Sequence, residues 1–148
     1  ASGNLGGDAW PPWFSSLTLM FQKEVAERIV ADPGSKTFGR LSVLSQWRSE
    51  AVKLFDVDRR AFTPAPKVTS SVVQITPIVD ARPPCSSDTL QRVTAAAFGQ
   101  RRKMLRSSLK SLTNQPVLLL EKAGLDPQLR AEQLDVADFC TLAAELDD

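Results

Sequence analysis

Residues 68–84 read Val68-Thr69-Ser70-Ser71-Val72-Val73-Gln74-Ile75-Thr76-Pro77-Ile78-Val79-Asp80-Ala81-Arg82-Pro83-Pro84. The first eight are rich in valine, threonine and serine, which favours a β-strand over 68–75. The proline-containing residues 76–84 are typical of a linker and mark a candidate domain boundary. The chain changes character here, because strand and helix patterns precede this boundary and only helical patterns follow it.

Short apolar segments make up the chain before this boundary. Residues 16–21 have the length of a strand, and a helix is predicted over 22–30, ended by the turn residues 32–35. Residues 41–47 predict a second helix and residues 51–57 a second strand. Two prolines then stiffen the loop over 62–68.

After the boundary, helices are predicted over 88–98, 101–112, 116–123 and 136–146, with a short turn near Ala131. Gly124 stands where a helix commonly ends in a left-handed glycine. The sequence therefore predicts an α+β chain, with strand–helix units first and a small all-helical domain second.

Composition narrows the chemistry. The chain has 148 residues, 43% of them hydrophobic, which suits a packed core, and it has no histidine and no tyrosine. Histidine-based triads, general bases and metal sites are thereby excluded within these residues. Cys85 and Cys140 lack metal-ligand spacing, so we expect free thiols in a reducing cytosol. No signal peptide and no apolar run of membrane-spanning length is visible.

The net charge of +1 hides an uneven distribution. Residues 90–110 contain six basic residues and no acidic one, whereas residues 121–148 contain eight acidic residues and two basic ones. Such asymmetry favours a surface that faces a polyanion, beside an acidic, solvated end.

The basic stretch is Gln100-Arg101-Arg102-Lys103-Met104-Leu105-Arg106-Ser107-Ser108-Leu109-Lys110. On a continuous helix the cations Arg102, Lys103, Arg106 and Lys110 would form one stripe, and Leu105, Leu109 and Leu112 would face the core beside it. Arginine and lysine in this pattern suit RNA phosphates. A solvated helix face is the alternative, although such faces usually mix charges of both signs.

Phe62 precedes the loop Thr63-Pro64-Ala65-Pro66-Lys67-Val68. A rigid loop can hold an aromatic ring against an unstacked base. The alternative is that Phe62 belongs to the core at the entry to a strand.

Several segments together resemble the ribosomal RNA small subunit methyltransferase A family, the adenine N6-dimethyltransferases. They occur in the family's order from about residue 16 to residue 146. They are Leu19-Met20-Phe21-Gln22-Lys23-Glu24-Val25-Ala26-Glu27-Arg28, Gly34-Ser35-Lys36, Phe38-Gly39-Arg40-Leu41-Ser42-Val43, the proline loop with Ser70-Ser71-Val72-Val73, Ala97-Phe98-Gly99 with the basic stretch, and Arg130-Ala131-Glu132-Gln133-Leu134.

The resemblance implies residues 16–78 as the last strands and helices of a Rossmann-like methyltransferase domain and residues 79–148 as a helical RNA-binding domain. It implies S-adenosylmethionine as cofactor of the full-length enzyme, and dimethylation of two adjacent adenosines in small-subunit ribosomal RNA during subunit assembly in the cytoplasm. The family's cofactor-binding strand and glycine-rich loop would precede residue 1. We therefore expect this chain to retain RNA binding, without catalysis or bound cofactor and without a metal.

The resemblance also implies site residues. Phe62 would stack on the target base, and Arg101, Arg102, Lys103, Arg106 and Lys110, with Lys23, Arg40 and Lys67, would contact RNA. Arg101 lies closer to the leucine side of the predicted helix, so the alternative for it is a pair with the acidic end of the chain. If the basic stretch is only a solvated face, the RNA surface would lie around Lys23, Arg28, Lys36 and Arg40. The family's Asn-Leu-Pro-aromatic motif has its nearest counterpart in Asn4-Leu5-Gly6-Gly7. Asn4 is either a remnant of that motif or part of a linker or scar over residues 1–15.

Two rival hypotheses remain open at this point. One is a standalone nucleic-acid-binding module without methyl-transfer activity, and the other is a transcription-factor-like relative. Exposed strand edges would also allow pairing with another chain.

Overall fold

The computed structural model describes residues 12–79 and 83–147. The strands are β1 (Leu17–Gln22), β2 (Ser49–Val57) and β3 (Ser70–Pro77). The helices are α1 (Lys23–Ile29), α2 (Arg40–Gln46), α3 (Ser87–Gly99), α4 (Leu105–Ser108), α5 (Pro116–Lys122) and α6 (Val136–Asp147), and 3-10 turns cover Arg59–Ala61, Leu109–Ser111 and Ala131–Gln133. The predicted α+β character is confirmed.

The three strands form one antiparallel sheet in the order β1-β3-β2. β3 extends two residues beyond the predicted strand, because Thr76 and Pro77 pair with Glu50 and Ser49 of β2. The register of β2 shifts between Lys53 and Phe55, which marks a β-bulge.

A small core lies between the sheet and α1. Val73 of the central strand is fully buried against Ala26 and Ile29 of α1. Other apolar residues of the sheet stay in contact with solvent, among them Met20 of β1 at 52% exposure and Phe55 of β2 at 56%. Exposed apolar residues on paired strands are a feature that a further layer or strand usually covers.

A larger core joins the helices of the second half to the segment around α2. Phe38 and Val43 are fully buried in the same cluster as Leu90, Leu105 and Phe139. This core contains residues from both sides of the boundary predicted after residue 78. The core does not mark a division of the chain at that point, and the domain boundary stays a prediction.

Side chains of α2 fasten it to the end of α1. The Ser42 hydroxyl accepts a hydrogen bond from the Gly39 amide (3.1 Å) and donates one to the Arg28 carbonyl. The Gln46 amide nitrogen donates to the carbonyls of Ile29 and Ala31, each at 2.9 Å. Satisfying these backbone groups fixes how the chain leaves α1.

Two further sequence predictions are confirmed. Gly124 has a φ of 75°, and the Leu125 amide donates to the Leu120 carbonyl (2.8 Å), so α5 ends in a Schellman motif. The sulfurs of Cys85 and Cys140 are not joined in a disulfide. Across residues 12–79 and 83–147, no helix has the length and apolar character needed to cross a membrane.

Candidate nucleic-acid interface

The basic stretch folds as a turn followed by a short helix. The Lys103 amide donates a hydrogen bond to the Gln100 carbonyl (3.0 Å), which forms the turn. Met104 then has an extended ψ of 151°, and α4 starts at Leu105. The prediction of one helix over 101–112 was therefore wrong, and so was the single stripe of cations that it implied.

Tertiary hydrogen bonds explain the break. In a continuous helix the Leu105 and Arg106 amides would donate to carbonyls four residues earlier. Here they donate instead to the carbonyls of Leu129 (2.7 Å) and Pro127 (3.1 Å). The carbonyls of the loop before Arg130 thus accept the hydrogen bonds that would have formed the first turn of the longer helix.

The prediction of buried leucines beside exposed cations holds despite the break. Leu105 and Leu109 are fully buried, and Leu112 is half-buried against the same core. The four cations that we call the basic turn are all exposed; they are Arg102, Lys103, Arg106 and Lys110. Arg106 and Lys110 also line a groove of about 460 Å³ with Pro116 and Val117 of α5.

Within the described ranges, none of the four cations of the basic turn has an ion-pair or hydrogen-bond partner for its side chain. No carboxylate of the described residues therefore lies within ion-pair distance of these four side chains. An exposed cluster of unpaired cations can neutralise phosphates and release counterions from a polyanion.

Arg101 behaves differently from its neighbours. Its guanidinium donates to the carbonyls of Lys36 (2.8 Å) and Ser35 (3.3 Å), and Nε lies 4.0 Å from Oε2 of Glu132. The guanidinium carbon also lies 5.8 Å from the ring centre of Phe98. Arg101 therefore joins three separate segments of the chain.

Further contacts connect the segments around Arg101. Gly34 adopts a φ of 89°, a region that favours glycine, and its amide donates to the Glu132 carbonyl at 2.6 Å. A Cβ atom at Gly39 would lie 3.5 Å from an Arg101 guanidinium nitrogen. Glu132 Oε2 is buried without a hydrogen-bond partner among the described residues, so the nearby Arg101 charge compensates it.

A groove of about 580 Å³ opens beside this contact, and we call it the junction groove. Its apolar floor consists of Leu41, Leu44 and Phe98, and its lining also includes Arg101. The cations at its edge include Lys36 and Arg40, which are exposed, and Arg28, which pairs with Glu24 at 2.8 Å.

Phe62 is half-buried just after the 3-10 turn over Arg59–Ala61. The Asp58 carboxylate caps this turn by accepting from the Arg60 amide (2.8 Å). Partial exposure is compatible with both hypotheses for Phe62, a stacking role and a place at the edge of the core, so its role stays a prediction. Asn4 lies outside the described residues.

The other predicted cations fall on different surfaces. Lys23 and Lys67 line one groove of about 490 Å³ together with Arg59, whereas Arg40 belongs to the junction groove. Lys23 also forms an ion pair with Asp56 at 3.5 Å. The structure thus brings Lys23 and Lys67 together and keeps Arg40 apart from them.

Asp56 is the centre of a small polar cluster on the sheet. It accepts a hydrogen bond from the Ser71 hydroxyl (2.6 Å) and lies 3.2 Å from the Lys53 ammonium. The Ser71 hydrogen bond, with Lys53 and then Lys23, holds the pKa of the Asp56 carboxyl below its ordinary value. Lys23 is therefore engaged within the protein itself.

The described residues do not fit a nucleotide cofactor such as S-adenosylmethionine. Such sites commonly place a glycine-rich loop between a strand and a helix. Here β1 ends at Gln22 and α1 begins at Lys23 with no loop between them, and the sheet is antiparallel. Among residues 12–79 and 83–147 there is also no group of three metal-ligating side chains.

Sequence reasoning did not foresee the contacts of Arg101 with Ser35 and Lys36, or the apolar floor of the junction groove. Phe98 and Leu41 look like ordinary core residues in the sequence, and Ser35 and Lys36 precede Arg101 by more than sixty residues. The one local signal was Gly34, whose φ of 89° marks a turn that favours glycine.

Comparison with known proteins agrees with the family resemblance. A family model described as ribosomal RNA adenine dimethylase matches residues 12–148. A protein named ribosomal RNA small subunit methyltransferase A from Azorhizobium caulinodans is 62% identical over 141 residues, which are 95% of this chain and 48% of that protein. Its namesake from Xanthobacter autotrophicus is 60% identical and is covered to 49%.

Solved structures share the fold. A dimethyladenosine transferase from Plasmodium falciparum superposes with a TM-score of 0.73 at 26% identity, over 89% of this chain and 57% of that one. The 23S rRNA methyltransferase ErmE superposes with a TM-score of 0.59 at 22% identity, over 93% of this chain and 57% of that one, which is a likeness of fold alone.

This chain spans about half the length of the curated relatives that it matches. The match of the family model extends over nearly all of its residues, and the identities to the curated relatives are high. The chain belongs to the ribosomal RNA adenine dimethylase family.

Proposed function

We propose that this chain is part of an S-adenosylmethionine-dependent enzyme that dimethylates two adjacent adenosines of small-subunit ribosomal RNA during ribosome assembly in the cytoplasm. Within it, these 148 residues bind RNA and do not carry out the methyl transfer. The observation that carries this proposal is the basic turn: four exposed cations without a compensating carboxylate in the described part of the chain.

The basic turn suits a phosphate backbone. Arg102 and Lys103 are set by a tight turn, and Arg106 and Lys110 by the short helical segment that follows, with buried leucines beneath them. Contacts to phosphates position a protein on RNA without reading its sequence, so specificity comes from RNA shape and from contacts to unpaired bases. Lys23, Lys67 and Arg40 are secondary contacts in this proposal, and Arg101 shapes the turn.

The proposal also assigns a role to the sheet. Residues 16–78 supply the last strands of a Rossmann-like sheet, and residues 79–148 are the RNA-binding domain. The exposed apolar residues of β1 and β2 support this view, since the half of the relatives that this chain does not match would cover them. β1 and β2 are the edge strands of the sheet among the described residues, and such edges can pair with another chain.

Phe62 belongs to the catalytic part of the proposal. Its position beside the proline loop, half-exposed, supports a stacking contact with the target adenine once the base has left its helix. The residues that hold the cofactor lie outside residues 12–79 and 83–147.

The test is a comparison of RNA with DNA. Fluorescence anisotropy measures binding of this chain to a hairpin from the 3′ end of small-subunit ribosomal RNA and to a DNA hairpin of the same sequence. We expect tighter binding to RNA, because A-form shape and 2′-hydroxyl groups distinguish the two. Equal affinities would contradict the proposal and favour a general nucleic-acid-binding module.

A matched pair of variants locates the surface. Replacing Arg106 and Lys110 by alanine should weaken binding to the RNA hairpin. Arg92 of α3 and Lys122 of α5 are exposed but lie outside the basic turn. Replacing them by alanine also removes one arginine and one lysine, and should have a much smaller effect. Equal losses from both pairs would mean that only net charge matters.

A further inference from the structure

The junction groove combines apolar side chains with unpaired cations in the described part of the chain. Its floor is apolar, with Leu41 exposed to 40% and Leu44 and Phe98 half-buried. Its edge carries Lys36 and Arg40, whose side chains have no partner within the described ranges. The volume of about 580 Å³ falls inside the range of about 300–1,000 Å³ that is typical of small-molecule sites.

The wall of the groove is held in place. Arg101 is fixed by the carbonyls of Ser35 and Lys36, so its planar guanidinium is pre-oriented beside the Phe98 ring. Aromatic rings and arginine planes are the surfaces on which unpaired bases stack, and lysine and arginine at the edge suit the phosphates on either side.

We propose that the junction groove binds one unpaired nucleotide of RNA, with the base on the apolar floor and the flanking phosphates at Lys36 and Arg40. This proposal rests on the proposed function, RNA binding, and adds a second site to it. Phe62 and the basic turn do not line this groove, so the nucleotide bound here is a different one from the base that Phe62 would contact. The site would select RNA that carries an unpaired nucleotide at the right distance from the basic turn.

Two RNA probes test the proposal. One is a fully paired hairpin and the other is the same hairpin with a single unpaired nucleotide in its stem, placed at each of several positions in turn. Stacking of one base is worth about 1–3 kcal/mol, so this chain should bind the best unpaired probe at least about fivefold more tightly than the paired hairpin. Absence of any preference among all positions would overturn the proposal.

Leu41→Ala and Leu118→Ala form a matched pair, because Leu41 is exposed to 40% and Leu118, on α5, to 44%. Leu41→Ala should reduce the preference for the unpaired probe and leave the affinity for the paired hairpin unchanged. Leu118→Ala should change neither. A preference that survives Leu41→Ala in full would overturn the placement of the base.

The edge cations are tested separately. Lys36→Ala combined with Arg40→Ala should weaken binding of the unpaired probe and lower its log–log salt slope by up to about two units. Arg92→Ala combined with Lys122→Ala is the control, and its slope should stay unchanged. Equal slopes for the two double variants would overturn the assignment of phosphates to Lys36 and Arg40.

The outcomes separate this proposal from the proposed function. If this chain fails to bind either RNA probe, the proposed function itself is wrong. If it binds the paired hairpin through the basic turn and shows no preference for an unpaired nucleotide, only the site in the junction groove is wrong.

Discussion

Replacing Arg101 by alanine should destabilise the fold, although Arg101 directly precedes the exposed cations of the basic turn. The change removes two hydrogen bonds from a charged donor, at 2.8 Å and 3.3 Å, to the carbonyls of Lys36 and Ser35. A hydrogen bond to a charged group contributes about 1.5–3 kcal/mol to stability. We count the shorter bond fully and the longer one little, because the Arg101 side chain is 36% exposed and water can replace part of the interaction.

The same change leaves Glu132 with an uncompensated charge. Its Oε2 atom is buried without a hydrogen bond, and the Arg101 guanidinium at 4.0 Å is the cation paired with it. Together these effects predict a decrease of about 2–3 kcal/mol in the free energy of unfolding, and a Tm lower by roughly 5–10 °C.

Urea denaturation measures this change, with Arg102→Ala as the matched control. Arg102 is the exposed neighbour without a partner in the described residues, so its replacement should alter stability by less than about 0.5 kcal/mol. Arg101→Lys keeps the charge but not the planar fork, and should recover only part of the stability. Equal stabilities for Arg101→Ala and Arg102→Ala would refute the reasoning.

Three further predictions concern the cofactor, the proline loop and the sheet. Calorimetric titration of this chain with S-adenosylmethionine should give no saturable binding in the micromolar range, because β1 runs into α1 without a phosphate-binding loop; micromolar binding would contradict this. Phe62→Ala, in this chain joined to the catalytic half that its relatives carry, should lower turnover by about 5- to 100-fold and change RNA affinity much less; unchanged turnover would rule out the stacking role. Asp56 should titrate below an ordinary aspartate in an NMR pH titration, and Ser71→Ala should raise its pKa toward the ordinary value. Because the folded-state pKa is lowered, the stabilisation from Asp56 is complete above the ordinary aspartate pKa and disappears as the pH falls through the lowered one; an ordinary pKa in the unchanged chain would contradict the cluster.

The strands and most helices followed from local sequence patterns. α1 and α3 begin and end within one residue of their predicted bounds, because turn residues and apolar spacing fix them locally. Gly124 likewise ends α5 as its position in the sequence predicts. These features depend on residues that are close together along the chain.

The site depended on contacts that local patterns do not contain. The basic stretch has helix-forming residues throughout, yet the carbonyls of Pro127 and Leu129 take the amides of Arg106 and Leu105 and stop the helix. The sequence indicated correctly that cations lie beside buried leucines. It did not indicate that Arg101 donates to the loop at Ser35 and Lys36. The acceptors there are backbone carbonyls, which every residue type has, so the side chains of that loop give no sign of the contact.

The salt dependence of RNA binding tests the central claim most directly, namely that the basic turn holds ribosomal RNA through its phosphates. The measurement is the affinity of this chain for the small-subunit RNA hairpin across a salt series, with and without Arg102, Lys103 and Arg106 replaced by alanine. Each cation that no longer neutralises a phosphate should flatten the log–log slope by up to about one unit, so the triple variant should bind more weakly, with a slope flatter by as much as about three units. The same affinity and the same slope in both proteins would show that the basic turn is only a solvated surface.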